Sequence, residues 1–177
     1  MLAPVQPHPD NEQDYVRLVL DALGGPRLSL AVAEGDTGGL LLEWLTAAPG
    51  SSAVVRGGVV AYHDDLKRHV LGIEAALIQR HGAVSGVVVE AMARGVRRLA
   101  GADIGVATTG IAGPGGATPS KPVGLTFVAA VDAERAVVRE HRWQGRRESN
   151  RRASGYAALQ AILELLGTEE YRTDVLE

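Results

Sequence analysis

Apolar residues at Tyr15, Val16, Val19, Leu20 and Leu23 recur at the spacing of one helix face. A helix is therefore expected over Asn11–Leu23, stopped by Gly24-Gly25-Pro26. Leu28–Ala33 is a short apolar run bounded by turn-formers, which fits a buried strand. Leu40–Ala48 reads as a helix ending before Pro49-Gly50, and Val54–Tyr62 as a second strand. Within that strand, Gly57-Gly58 marks a bulge or a close backbone approach. Asp64 to about His81 is helical with an interruption near Gly72. Ser85 is the expected N-cap of a helix carrying Val88, Met92, Val96 and Leu99 on one face. Asp103–Thr109 is a third strand, and Gly110–Pro122 is a loop with neither period. Val123–Val131 and Ala136–Trp143 form a hairpin about Asp132–Arg135. A last helix runs from about Asn150 to Leu166, with Gly167 at its end.

Strands alternating with helices, then a closing hairpin, predict an α/β fold: a three-layer α/β/α sandwich on a mixed sheet. Residues 10–167 form one domain in this reading, with residues 1–9 a proline-rich lead-in and 168–177 a polar tail. Composition changes the picture only by exclusion. The chain is 46% hydrophobic with a single Phe, so Ala, Val, Leu and Ile must build the core. Cysteine is absent, which removes disulfides, a thiolate nucleophile and cysteine-ligated metals. The histidines show no metal-ligand spacing, so neither a metal nor a cofactor is expected. A net charge of −3 offers no general attraction to nucleic acid. No apolar run approaches the roughly 20 residues of a membrane span, and no secretory signal is visible, so a cytoplasmic location is expected.

Candidate chemistry lies in glycine-rich segments that follow strands, where ligands collect in sheets of this kind. Glu34-Gly35-Asp36-Thr37-Gly38-Gly39 leads directly into a helix. Its backbone N–H groups suit a phosphate or carboxylate, or the segment is a tight turn capped by Asp36 or Thr37. Thr108-Thr109-Gly110 and the loop through Gly113 form a second candidate, because so long a glycine-rich loop is costly in entropy. Arg146, Arg147, Arg151 and Arg152 crowd the start of the last helix and oppose its dipole unless an anion sits nearby. A solvated basic face is the alternative. Lys67 follows Tyr62 by five residues at a strand-to-helix junction, where a desolvated lysine can act as a base.

These segments together resemble one family. Ala33–Gly39 resembles its Ala-Glu-Ser-Cys-Thr-Gly-Gly motif, and Pro49–Ala53 and Gly57–Tyr62 match, with Lys67 at the expected offset. His81–Ser85, Thr109–Gly116 and Lys121–Gly124 match in the same order, over about residues 11–166. The chain thus resembles the C-terminal domain of the competence/damage-inducible protein CinA, the nicotinamide-nucleotide amidase family. The resemblance implies a metal-independent hydrolysis of the carboxamide of nicotinamide mononucleotide to the acid and ammonia. A serine attacks the amide, a lysine serves as its base, and a tyrosine supports them. The catalytic candidates are Tyr62 and Lys67, carried over by position, and Thr37, whose hydroxyl lies two residues beyond the serine position. Ligand-binding candidates are Glu34, Gly35, Asp36, Thr37, Gly38, Gly39, Thr108, Thr109, Gly110, Gly113, Arg147 and Arg151. The implied partners are a small-molecule nucleotide and further copies of the chain, with neither membrane nor nucleic acid expected.

The departure from the family motif is central. Gly35 stands at the serine position and Asp36 at the cysteine that follows. Glycine has no nucleophile, and such losses cost orders of magnitude in rate. Three outcomes are open: Thr37 supplies a hydroxyl, Asp36 with Lys67 activates water, or the domain binds its ligand without the reaction.

Overall fold

The computed structural model describes residues 12–168. The expected lead-in and nearly all of the expected tail lie outside that range. The elements run α1 (Glu12–Gly24), β1 (Leu30–Glu34), α2 (Leu40–Ala47), β2 (Val55–Val60), α3 (Asp64–His69), α4 (Ala75–His81), α5 (Gly86–Ala100), β3 (Ile104–Gly110), β4 (Leu125–Val131), β5 (Ala136–Arg142) and α6 (Arg147–Leu166). The five strands form one sheet in the order β2-β1-β3-β4-β5. β1 pairs in parallel with β2 and β3, whereas β4 is antiparallel to β3 and β5. This is the mixed, helix-covered sheet expected from the sequence.

The two faces of the sheet differ in side-chain size, and that difference positions the helices. Leu30, Val32, Ile104, Val106 and Val128 face α1, α2 and α6 in one core cluster. The alternate positions Ala31, Ala33, Ala107 and Ala129 face α5, with Val88, Val89, Met92 and Val96 opposite. With so little side chain between them, α5 lies almost against the strands. A Cβ built on Gly105 would meet the Ala93 carbonyl oxygen of α5, so no larger residue fits there. At the edge of the sheet, Gly57 and Gly58 produce both expected effects. Leu30 pairs with Val55 but Ala31 with Gly57, which is a register shift, and a Cβ on Gly58 would stand 2.5 Å from the Val32 carbonyl.

Three expectations are corrected. Leu99 is 55% exposed, because the buried stripe of α5 is centred on Val89, Met92, Ala93 and Val96 and leaves the helix's last turn at its edge. α6 begins at Arg147, not near Asn150. Asn150 does not start the helix but is buried within it, where its side chain accepts from Gly145 N–H at 3.0 Å and donates to the Ala112 carbonyl at 3.0 Å. The helix that follows Gly39 is capped by neither Asp36 nor Thr37, as described below. Ser85 does cap α5, accepting from Val88 N–H at 3.4 Å.

Candidate active site

The parallel strands β2, β1 and β3 release their chains at one edge of the sheet, through Tyr62, Glu34 and Gly110. The connection from β1 to β2 carries α2 on one face, and the return to β3 carries α5 on the other. The crossovers diverge between β1 and β3, which opens a crevice at that edge. A cavity of about 240 Å³ lies there. Its side-chain lining includes Asp36, Tyr62, Asp64, Lys67, Thr109 and Arg147, and Gly35, Gly110 and Gly113 contribute backbone.

The first glycine-rich turn is organised by Glu34. This carboxylate is 1% exposed and turns back over the start of α2. It accepts from the N–H groups of Gly39 at 2.9 Å, Leu41 at 3.1 Å and Leu42 at 2.8 Å. The protein's own anion thus satisfies the open end of the helix, where an incoming phosphate was one expectation. Gly38 and Gly39 form the bend beneath it in the left-handed region, at φ 60° and 99°.

Gly35 is drawn onto β3. Its N–H donates to the Thr108 carbonyl at 2.9 Å, and a Cβ here would lie 2.9 Å from that oxygen. Gly35 lines the cavity without presenting a functional group. Thr37 is fully buried, bonded hydroxyl to hydroxyl with Thr108 at 2.8 Å, and neither residue is part of the cavity lining. Thr109 does line it, with its hydroxyl donating to the Ala83 carbonyl at 3.0 Å.

Lys67 comes from the first turns of α3, which starts behind His63 as its cap. Although lysines seldom leave water, this one is 4% exposed. Its Nζ donates to Asp64 Oδ1 at 3.0 Å and to the Tyr62 carbonyl at 3.5 Å. The sequence reading missed Asp64, although an acid three residues before a lysine on one helix is a readable pair. Tyr62 is 61% exposed, and its hydroxyl accepts from Arg147 Nη2 at 3.0 Å.

The structure divides the arginine cluster. Arg147 reaches the cavity and also donates to the Gly113 carbonyl at 2.8 Å. Arg151 holds the Thr37 carbonyl from behind the turn, at 2.5 Å from Nη2. Arg152 pairs with Glu12 at 2.9 Å and lies over the Trp44 ring. Only Arg147 of the four lines the cavity.

Asp36 is 5% exposed and lies among hydroxyls. Thr126 Oγ1 donates to its Oδ2 at 3.3 Å and is itself 3.0 Å from Ser154 Oγ. Burial pushes the Asp36 carboxyl above the ordinary carboxylate range, against hydrogen bonds from Ser154, its own backbone, Thr126 and Thr108 that favour the charge. Its Oδ1 has no hydrogen-bond partner. Thr126 and Ser154 were not singled out from the sequence, because no local pattern links them to a residue on β1's turn.

The fold recurs in known proteins. The family model for the CinA C-terminal domain matches residues 12–166. The chain belongs to the CinA C-terminal domain family. A CinA-like protein of Gemmatimonas aurantiaca is 52% identical over 125 residues, 71% of this chain and 29% of that protein. A CinA-like protein of Thermotoga maritima is 41% identical over 160 residues, 90% of this chain and 39% of that protein. The chain therefore spans well under half the length of these curated relatives. Among solved structures, the competence/damage-inducible protein CihA from Agrobacterium tumefaciens superposes with a TM-score of 0.85 at 34% identity, covering 92% of this chain and 99% of that one. A CinA superfamily protein from Klebsiella pneumoniae superposes with a TM-score of 0.86 at 33% identity, covering 90% and 99%. Among the described residues, no helix is long and apolar enough to cross a membrane, and no three acidic or histidine side chains gather as metal ligands.

Proposed function

We propose that this CinA C-terminal domain binds a pyridine nucleotide of the nicotinamide mononucleotide type and is impaired in hydrolysing its carboxamide. The observation that carries the reading is Gly35, a side-chain-free position lining the same cavity as the buried Lys67 amine. A lysine placed as base has no hydroxyl to activate at the family's serine position. Thr37 is a poor substitute, because its hydroxyl is fully buried against Thr108 and apart from the cavity. Tyr62, Thr109 and Arg147 leave a polar lining suited to a phosphorylated ligand.

Ammonia release from nicotinamide mononucleotide, measured beside binding, tests this reading in the wild type, Gly35→Ser and Gly35→Ala. Both substitutions place a Cβ 2.9 Å from the Thr108 carbonyl, so they share one steric burden and differ only in the hydroxyl. The expected result is binding by the wild type with turnover in Gly35→Ser alone. Wild-type turnover equal to that of Gly35→Ser would overturn it.

A second reading has its own support, since Asp36 and Lys67 line one cavity and could together direct a water at the amide carbon. It requires wild-type ammonia release that disappears in Lys67→Ala.

A further inference from the structure

The carbonyls of the turn between α4 and α5 are all taken by side chains. Those of His81 and Val84 both accept from Lys121 Nζ at 2.7 Å. The Gly82 carbonyl accepts from Ser85 Oγ at 2.9 Å, and the Ala83 carbonyl from Thr109 Oγ1 at 3.0 Å. Thr109 and Lys121 come from elsewhere in the chain, the end of β3 and the connection that follows it. Gly82 makes room for the ammonium, since its φ is 73° and a Cβ there would stand 2.5 Å from Nζ.

The β3–β4 connection that carries Lys121 has a tip, Pro114–Ser120, exposed throughout. Before the tip, Ala112 and Gly113 are buried and bonded to Asn150 and Arg147 of α6. Among the described residues, the only hydrogen bonds that join residues 114–121 to another part of the fold are the two from Lys121 Nζ. Thr118 and Lys121 exchange backbone bonds at 2.9 and 3.1 Å, which closes the tip into a turn that moves with the lysine. Gly115 and Gly116 of the tip line the cavity, as do Ala83 and Val84 of the α4–α5 turn. One ammonium, itself outside the cavity lining, therefore joins two of the segments that wall the cavity.

We propose that Lys121 is a positioning residue that latches this tip to the α4–α5 turn, so that the two segments close one side of the cavity and slow a ligand's exit. This role rests on the reading of the cavity as a nucleotide site and adds the contact that controls escape from it. Gly115 and Gly116 have no side chains to hold the tip by packing, so its attachment depends on polar contacts. The bonds of an ammonium to carbonyls are charge-assisted and stronger than neutral ones, and a single Nζ here spans two acceptors of the same turn.

Stopped-flow binding of nicotinamide mononucleotide to the full chain, beside amide hydrogen exchange, tests this in the wild type, Lys121→Met and Lys121→Arg. Lys121→Met keeps a straight apolar stem and removes the donors. It is expected to raise the dissociation rate about ten- to a hundredfold, the loss of hydrogen bonds from a charged group, without lowering the association rate. Exchange should rise at Gly82 and Val88, whose N–H groups bond to the Ile78 carbonyl and Ser85 Oγ on either side of the turn, and stay unchanged in β1 and β3. Lys121→Arg retains charged donors and should recover part of both effects. A variant that only folded less well would offer fewer binding sites with an unchanged dissociation rate. Where the wild type binds the nucleotide, a dissociation rate unchanged in Lys121→Met overturns the proposal. Where it does not, the nucleotide reading falls and exchange decides the latch: faster exchange at Gly82 and Val88 in Lys121→Met sustains it, and unchanged exchange overturns it.

Discussion

Arg147 donates to the hydroxyl of Tyr62 at 3.0 Å and to the carbonyl of Gly113 at 2.8 Å, so one guanidinium ties the start of α6 to two walls of the cavity. The arrangement places a cation at the most exposed side of the site, since Tyr62 is 61% exposed and Lys67 only 4%. On the proposed reading, a phosphorylated ligand approaching from solvent would meet this cation, with its planar two-pronged donors, before reaching Lys67.

Arg147→Ala is accordingly expected to weaken binding of nicotinamide mononucleotide by about tenfold or more. Stability should change by no more than about 1 kcal/mol, because both bonds lie near solvent. Arg147→Lys keeps the charge but not the fork and should recover part of the loss. Titration calorimetry with a thermal melt separates the two effects, and unchanged affinity in Arg147→Ala would remove Arg147 from the ligand site.

Glu34 occupies a family motif and was read from the sequence as a ligand contact, but its three hydrogen bonds run to the N–H groups that begin α2. It is a structural anion. Glu34→Ala strips a buried helix start of its acceptor and is expected to destabilise the domain by about 2–4 kcal/mol. Glu34→Gln retains an acceptor oxygen without the charge and should cost less, about 1–2 kcal/mol. Urea denaturation monitored by circular dichroism reads both values. A loss below about 1 kcal/mol in Glu34→Ala would show that water satisfies these donors equally well.

What the sequence disclosed and what it withheld divide along the range of the interactions. The strands, the mixed sheet and the cavity-lining Tyr62, Lys67 and Thr109 were legible, because apolar runs and motif spacing are local properties. The role of Glu34 was not, although its signal was present: a carboxylate on the preceding strand, and a glycine where a helix would otherwise carry a Ser, Thr or Asp cap. The identity of the arginine that enters the cavity depended on where α6 starts, and a shift of three residues redirects every side chain in its first turn. The environment of Asp36 is set by Thr126, 90 positions away, and by Ser154 beyond it. Only the folded sheet brings those hydroxyls to the turn.

The same environment gives Asp36 a signature in stability against pH. Burial raises its carboxyl above the ordinary value in the folded state, so the folded protein holds this proton more tightly than the unfolded chain does. Below the unfolded value of about 3.9 the group is neutral in both states and imposes no penalty. As pH rises from there toward the raised folded value, the unfolded chain ionises first, and the folded state progressively loses stability. Asp103 acts in the opposite sense, since hydrogen bonds from Ser29 hold it below the ordinary range, but its contribution is common to wild type and variant. The difference between Asp36→Asn and the wild type therefore isolates Asp36. Melting temperatures across pH 4 to 8 should show the variant gaining on the wild type as pH rises, with the smallest difference near pH 4. A difference independent of pH would mean that Asp36 titrates as it does in the unfolded chain, and that the hydroxyls around it fully offset its burial.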